Sequence, residues 1–118
     1  MDPAAHFRKL ALALPDAVES SHHGAADFRL NDRIFATLAY VARGQATLKL
    51  TQEQQSEWIA DAPQYFEPAP GGWGRMGMTL MQLDAPESVL RDALRVSYDN
   101  VAAKQKQKRS TSRKRVSL

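Results

Sequence analysis

The sequence contains no cysteine, and no apolar run approaches the roughly 18 residues that a membrane-spanning helix requires. The missing cysteines exclude a disulfide framework, a thiolate metal site and a cysteine nucleophile. The first ten residues, MDPAAHFRKL, also lack the long apolar segment that follows a basic start in a secretory signal. We therefore expect a cytoplasmic protein with no membrane partner.

The residues that would indicate catalysis or a cofactor are also missing. No serine stands in a Gly-x-Ser-x-Gly context, and the glycines between 71 and 74 are not followed by the Lys-Ser/Thr pair of a phosphate-binding loop. His22 and His23, with Asp27 nearby, offer metal ligands, but no further ligands follow at zinc-like spacing. We predict a non-enzymatic protein with no cofactor and no metal site.

What the sequence does have is an uneven distribution of charge over 118 residues, a length typical of one domain. Residues 104–118 carry seven basic residues and no acid, whereas the other 103 residues carry nine basic residues against thirteen acids, a net charge of −4. The basic residues of this tail are Lys104, Lys106, Lys108, Arg109, Arg113, Lys114 and Arg115. Because apolar residues almost vanish there, we expect a folded domain over 1–103 and a disordered basic tail over 104–118.

The periodicity of the first 103 residues predicts an α+β domain, in which helices pack on an antiparallel sheet. Asp2-Pro3 is typical of a helix start, and Thr51 with Gln54 fits a capping box. Between these helices apolar residues alternate at period two, with Asn31-Asp32 as a hairpin turn.

A loop over 68–74 carries Trp73, which the simplest interpretation places in the core. A strand with Met76, Met78 and Leu80 on one face comes next. Asp84 and Glu87 then cap the last helix. The inner face of that helix is predicted to carry Leu90, Ala93, Leu94, Ser97 and Val101.

Basic residues cluster at the predicted hairpin tips and in the tail. Arg29 and Arg33 flank the Asn31-Asp32 turn, Lys49 ends a strand, and Arg75 follows Trp73. Cations beside a flat aromatic ring are suited to phosphates and bases, although such residues often only solvate a surface. If six or seven tail cations engaged duplex DNA, binding would fall against log salt with a slope of about −5 to −6. A solubilising extension is the alternative for the tail.

An ordered series of short motifs resembles the MmcQ/YjbR family of small bacterial proteins. The match covers about residues 7–103. It rests on the segments 14–20 (LPDAVES), 23–24 (HG), 27–30 (DFRL), 33–36 (RIFA), 48–50 (LKL), 53–54 (EQ), 66–69 (FEPA), 72–74 (GWG) and the helix over 83–101.

The resemblance implies a fold similar to the CyaY-like and double-wing group, and members are described as DNA-binding by analogy with that fold. It places Arg29, Arg33, Lys49 and Trp73 on the candidate face. The Met76 to Thr79 segment stands where the family has a Gly-Trp-Val-type strand, so one aromatic of that strand is missing, and the tail lies outside the family pattern. We expect a nucleic-acid partner, DNA with little sequence preference, and a monomer. The alternative is a protein- or small-ligand-binding domain whose pocket combines the Trp73 loop with the His22-His23 corner.

Overall fold

A computed structural model describes the backbone of residues 2–116 and the side chains of residues 2–104. Helix α1 (Pro3–Leu12) begins where the sequence predicts, because the Asp2 carboxylate accepts a hydrogen bond of 3.2 Å from the Ala5 amide. Helix α2 (Gln52–Asp61) has both hydrogen bonds of the predicted capping box between Thr51 and Gln54. These two caps satisfy amides that the first turn of a helix leaves without partners.

Six strands form one antiparallel sheet in the order β1-β2-β3-β4-β6-β5. Their bounds are β1 (Val18–His22), β2 (Ala25–Leu30), β3 (Arg33–Thr37), β4 (Gln45–Lys49), β5 (Phe66–Pro68) and β6 (Met78–Gln82). The predicted Asn31-Asp32 turn joins β2 to β3, and both residues adopt left-handed backbone angles, φ +49° and +67°. Such angles suit a two-residue hairpin, so this part of the prediction is confirmed.

The core lies between the sheet and the helices that cover it. Phe7 of α1 packs edge-on against Phe28 of β2 at a ring-centroid distance of 5.9 Å, and Phe35 packs against Tyr98 at 5.6 Å. Tyr98 belongs to the last helix, α4 (Glu87–Val116), which contacts β2, β3, β4 and α1. The five residues predicted for the inner face of α4 are all buried. The predicted α+β architecture, an antiparallel sheet backed by helices, is confirmed.

The segment after α2 corrects the sequence prediction of an irregular loop. It contains β5 and a short helix, α3 (Gly71–Arg75). The chain can turn this tightly because residue 74 is a glycine. Any side chain at this position would place its Cβ on the carbonyl oxygen of Ala69. Trp73 is 39% exposed rather than tucked into the core, and Met76 is 73% exposed because the strand begins only at Met78.

The backbone of α4 continues to Val116, past residue 103, where the sequence places the end of the domain. The side chains of residues 105–118 lie outside the described residues, and the disordered tail stays a prediction. Within the described residues, no helix combines the length and the apolar character needed to cross a bilayer.

Candidate nucleic-acid interface

An open cleft of about 760 Å³ lies between the β2–β3 turn, the end of β4, helix α3 and the part of α4 around Val101. Three cationic residues from separate parts of the chain line it: Arg33, Lys49 and Lys104. Trp73 lines the same cleft. The fold therefore brings together four of the residues that the sequence predicts for a nucleic-acid site, although they span more than seventy positions.

A network of side-chain amides fixes the floor of this cleft. Asn100 of α4 donates through Nδ2 to the backbone oxygen of Lys49 at 2.9 Å and to Oε1 of Gln54 at 2.8 Å. Gln54 Oε1 also accepts from the backbone amide of Thr51, and Gln54 Nε2 donates back to Asn100 Oδ1 at 3.3 Å. The end of β4, the start of α2 and α4 are thus joined by hydrogen bonds, so the backbone that carries Lys49 is held in place.

The opposite wall is positioned by a second set of hydrogen bonds. Gln55 of α2 donates to the carbonyl oxygens of Gly74 and Met78, both at 3.0 Å. Gln52 donates to the carbonyl oxygen of Arg75 at 2.7 Å. These bonds hold α3, and with it Trp73, against the start of α2.

Among residues 2–104, most of the arginines outside the cleft form ion pairs, Arg75 being the exception, whereas the cleft cations form none. Five arginines form ion pairs with nearby carboxylates: Arg8, Arg29, Arg43, Arg91 and Arg95. Among residues 2–104, no carboxylate comes within ion-pairing distance of Arg33, Lys49 or Lys104. Within the described part of the chain, the one acid that lines the cleft is Asp32. The cleft therefore carries a local excess of positive charge, although the domain as a whole is acidic.

Arg29 does not take part in this cleft. Its Nε and Nη2 atoms donate to the two oxygens of the buried Asp27, at 2.8 and 3.0 Å. The hydrogen bond to Asp27 is the main cause that raises the pKa of the Arg29 guanidinium above its ordinary value. This bidentate pair uses two of the five N–H groups of the guanidinium and holds the side chain on Asp27, and Arg29 does not line the cleft.

Two other predicted features do not line the cleft. Arg75 is exposed, and its guanidinium lies back over Gly72 of its own helix. His22 ends β1 and His23 lies in the β1–β2 turn, whereas the cleft is at the far end of β2, about 20 Å away for a six-residue strand. The cleft that contains Trp73 therefore does not include the two histidines. Lys106, Lys108, Arg109, Arg113, Lys114 and Arg115 lie outside the residues whose side chains are described.

Several cleft residues were not predicted for the site. Met76 contributes an exposed thioether beside Trp73, and Val101 and Ile34 add apolar surface. The sequence predicts Met76 to lie on a strand and Val101 to lie on the inner face of a helix. Asn100 carries no sequence signal, since its partners lie about fifty residues away.

The class of protein defined by these features is an α+β domain with a six-stranded antiparallel sheet, helices packed on it and a cationic cleft at one end. A family model described as YjbR matches residues 12–100. The chain belongs to the YjbR family, which confirms the resemblance seen in its motifs.

A solved structure agrees with this assignment at the level of the fold. The crystal structure of Deinococcus radiodurans protein DR2400, with the family-model domain DUF419, is similar at a TM-score of 0.68. The two sequences are 21% identical, and the similarity covers 80% of this chain and 75% of that one. Among curated proteins, none matches the sequence significantly.

Proposed function

We propose that this protein binds nucleic acid through the cleft, without catalysis and with little sequence preference. The observation that supports the proposal is that Arg33, Lys49 and Lys104 share one concave surface with an exposed tryptophan ring. Phosphate contacts of this kind position a nucleic acid but do not distinguish its bases. DNA is the expected form.

The proposed division of roles follows from the charges. The cleft cations orient the nucleic acid, and the basic residues of the tail add affinity by neutralising further phosphates. Arg29 has no part in the proposal because Asp27 already engages it. The proposed cleft contacts are thus fewer than the sequence predicts, but all of them lie on one surface.

The test compares two double substitutions that change the net charge equally. Arg33→Gln with Lys49→Gln removes two cleft cations, whereas Arg91→Gln with Arg95→Gln removes two exposed cations of α4 that are paired with carboxylates. Affinity for a fluorescein-labelled oligonucleotide is measured by anisotropy at several salt concentrations. The cleft variant should bind more weakly and lose about 1.4 to 1.8 from the slope of log affinity against log salt.

The control variant should keep nearly the whole salt slope. Equal losses in both variants would mean that binding responds only to net charge, and the cleft would then not be the binding site. Undiminished binding by the cleft variant would also contradict the proposal. A further variant that ends at residue 104, and so keeps the cleft residue Lys104, should lose most of the affinity at low salt if the tail acts as proposed.

A further inference from the structure

The shape of the cleft and the position of Trp73 bear on the kind of nucleic acid that fits. Trp73 is 39% exposed, and in residues 2–104 it forms no close ring contact with another aromatic side chain. Met76, beside it on the same wall, is 73% exposed. Exposed apolar side chains of this size, at the edge of a cationic surface, indicate a ligand with an apolar face as well as negative charge.

Only some nucleic acids offer such a face. In a duplex the faces of the bases are covered by their neighbours, so proteins reach the base edges by inserting a protruding element into a groove. The surface described here is concave instead, with Trp73 on one wall and the β2–β3 turn on another. A concave cationic surface with an aromatic ring matches the way single strands are held, with bases stacked on rings and the backbone tracked by cations.

We infer that the cleft binds single-stranded nucleic acid, with one base stacked on the Trp73 ring and the adjacent phosphates held by Arg33 and Lys49. This inference rests on the proposed function and specifies its ligand. The volume of about 760 Å³ lies within the range of ligand sites in proteins, so the cleft is large enough for a short piece of single strand.

The experiment uses the full chain, a short mixed-sequence deoxyoligonucleotide and the duplex formed with its complement. Anisotropy titrations compare the wild type with Trp73→Ala, Trp73→Phe and Leu12→Ala. Leu12 is a matched control because it is also 39% exposed but lies on α1, away from the cleft. The unfolding midpoint of each variant shows that it is folded.

The wild type should prefer the single strand to the duplex. Trp73→Ala should weaken single-strand binding by about 5- to 150-fold, the range expected for loss of one stacking ring. Trp73→Phe should retain most of the affinity because it keeps a ring, and Leu12→Ala should have no effect. Duplex binding should change little in any of them.

A spectroscopic measurement reports the stacking itself. The chain has two tryptophans, and the other one, Trp58, packs against Phe66 outside the cleft. In a Trp58→Phe variant the remaining tryptophan fluorescence comes from Trp73, and addition of the single strand should quench it.

Failure of the inference can be told apart from failure of the proposed function. Equal affinity for both forms, with losses in the Arg33 and Lys49 variant but none in Trp73→Ala, would overturn the single-strand inference alone. If neither form binds at low salt, both the inference and the proposed function are wrong.

Discussion

Replacing Gly77 by alanine should destabilise the domain strongly, for two separate reasons. Gly77 has a backbone angle φ of +110°, which side-chain-bearing residues rarely adopt. In addition, a Cβ at this position would overlap the carbonyl oxygen of Leu50, a residue of the cleft. The close approach of these two backbone segments brings the start of β6 next to the end of β4.

The size of the effect can be worked out by comparison with Gly44, which is also left-handed at φ +73° but has nothing within 4 Å of an added Cβ. Gly44→Ala should therefore lower the free energy of unfolding by only about 1–2 kcal/mol, the cost of holding an alanine in the left-handed backbone conformation. Gly77→Ala adds a backbone overlap, and forcing atoms into filled space costs about a further 1–3 kcal/mol. We expect a total loss of about 2–5 kcal/mol.

Urea unfolding followed by circular dichroism measures both variants against the wild type. The unfolding midpoint should fall for both, by clearly more for Gly77→Ala, while the dependence of the free energy on urea stays the same. A Gly77→Ala protein too unstable to purify, beside a folded Gly44→Ala, would agree with the larger loss. Equal losses would refute the reasoning, because they would mean that the overlap with Leu50 costs nothing.

Two further predictions concern helix ends. Thr51→Ala removes the side-chain acceptor of the Gln54 amide and should lower the free energy of unfolding by about 1 kcal/mol, measured by urea unfolding. Glu87 accepts a hydrogen bond of 2.9 Å from Arg91, which is the main cause that lowers the pKa of its carboxyl group. Because the folded pKa is lowered, the wild type should melt above Glu87→Gln at neutral pH, and the difference should vanish as the pH falls through that lowered pKa. A difference that persists in acid would contradict this assignment.

The parts of the fold that the sequence predicts well are those fixed by local chemistry. Asn31-Asp32 forms a hairpin turn because both residue types tolerate left-handed angles, and Thr51 caps α2 through a contact only three residues away. The inner face of α4 follows from apolar spacing alone.

Helix α3 could not be predicted in the same way. Its sequence, GGWGR, is among the poorest helix formers, and proline precedes it. The helix is stabilised by contacts from elsewhere, since Gln55 bonds the Gly74 carbonyl and Gly74 packs directly on Ala69. Local propensity carries no information about such contacts.

The candidate site shows the same contrast. The spacing that exposes Arg33 and Lys49 at strand ends is a local feature, and the sequence predicts both residues. The sequence also predicts Arg29 for the site, although Asp27 stands two residues away on the same strand, a spacing typical of side chains on one face. That spacing is a usable signal for the ion pair. The contact of Asn100 with Lys49 depends on tertiary packing and had no signal.

The charge of the domain must be considered locally rather than as a sum. A net charge of −4 over the first 103 residues suggests repulsion of phosphate, yet screening in physiological salt limits exposed charges to a range of about 8 Å. A phosphate in the cleft meets Arg33, Lys49 and Lys104 against the single acid Asp32. In residues 2–104 the ion pairs are formed by other residues, so the three cleft cations are available to bind a phosphate. An acidic domain can therefore present a cationic binding surface, and the tail need not supply all of the attraction.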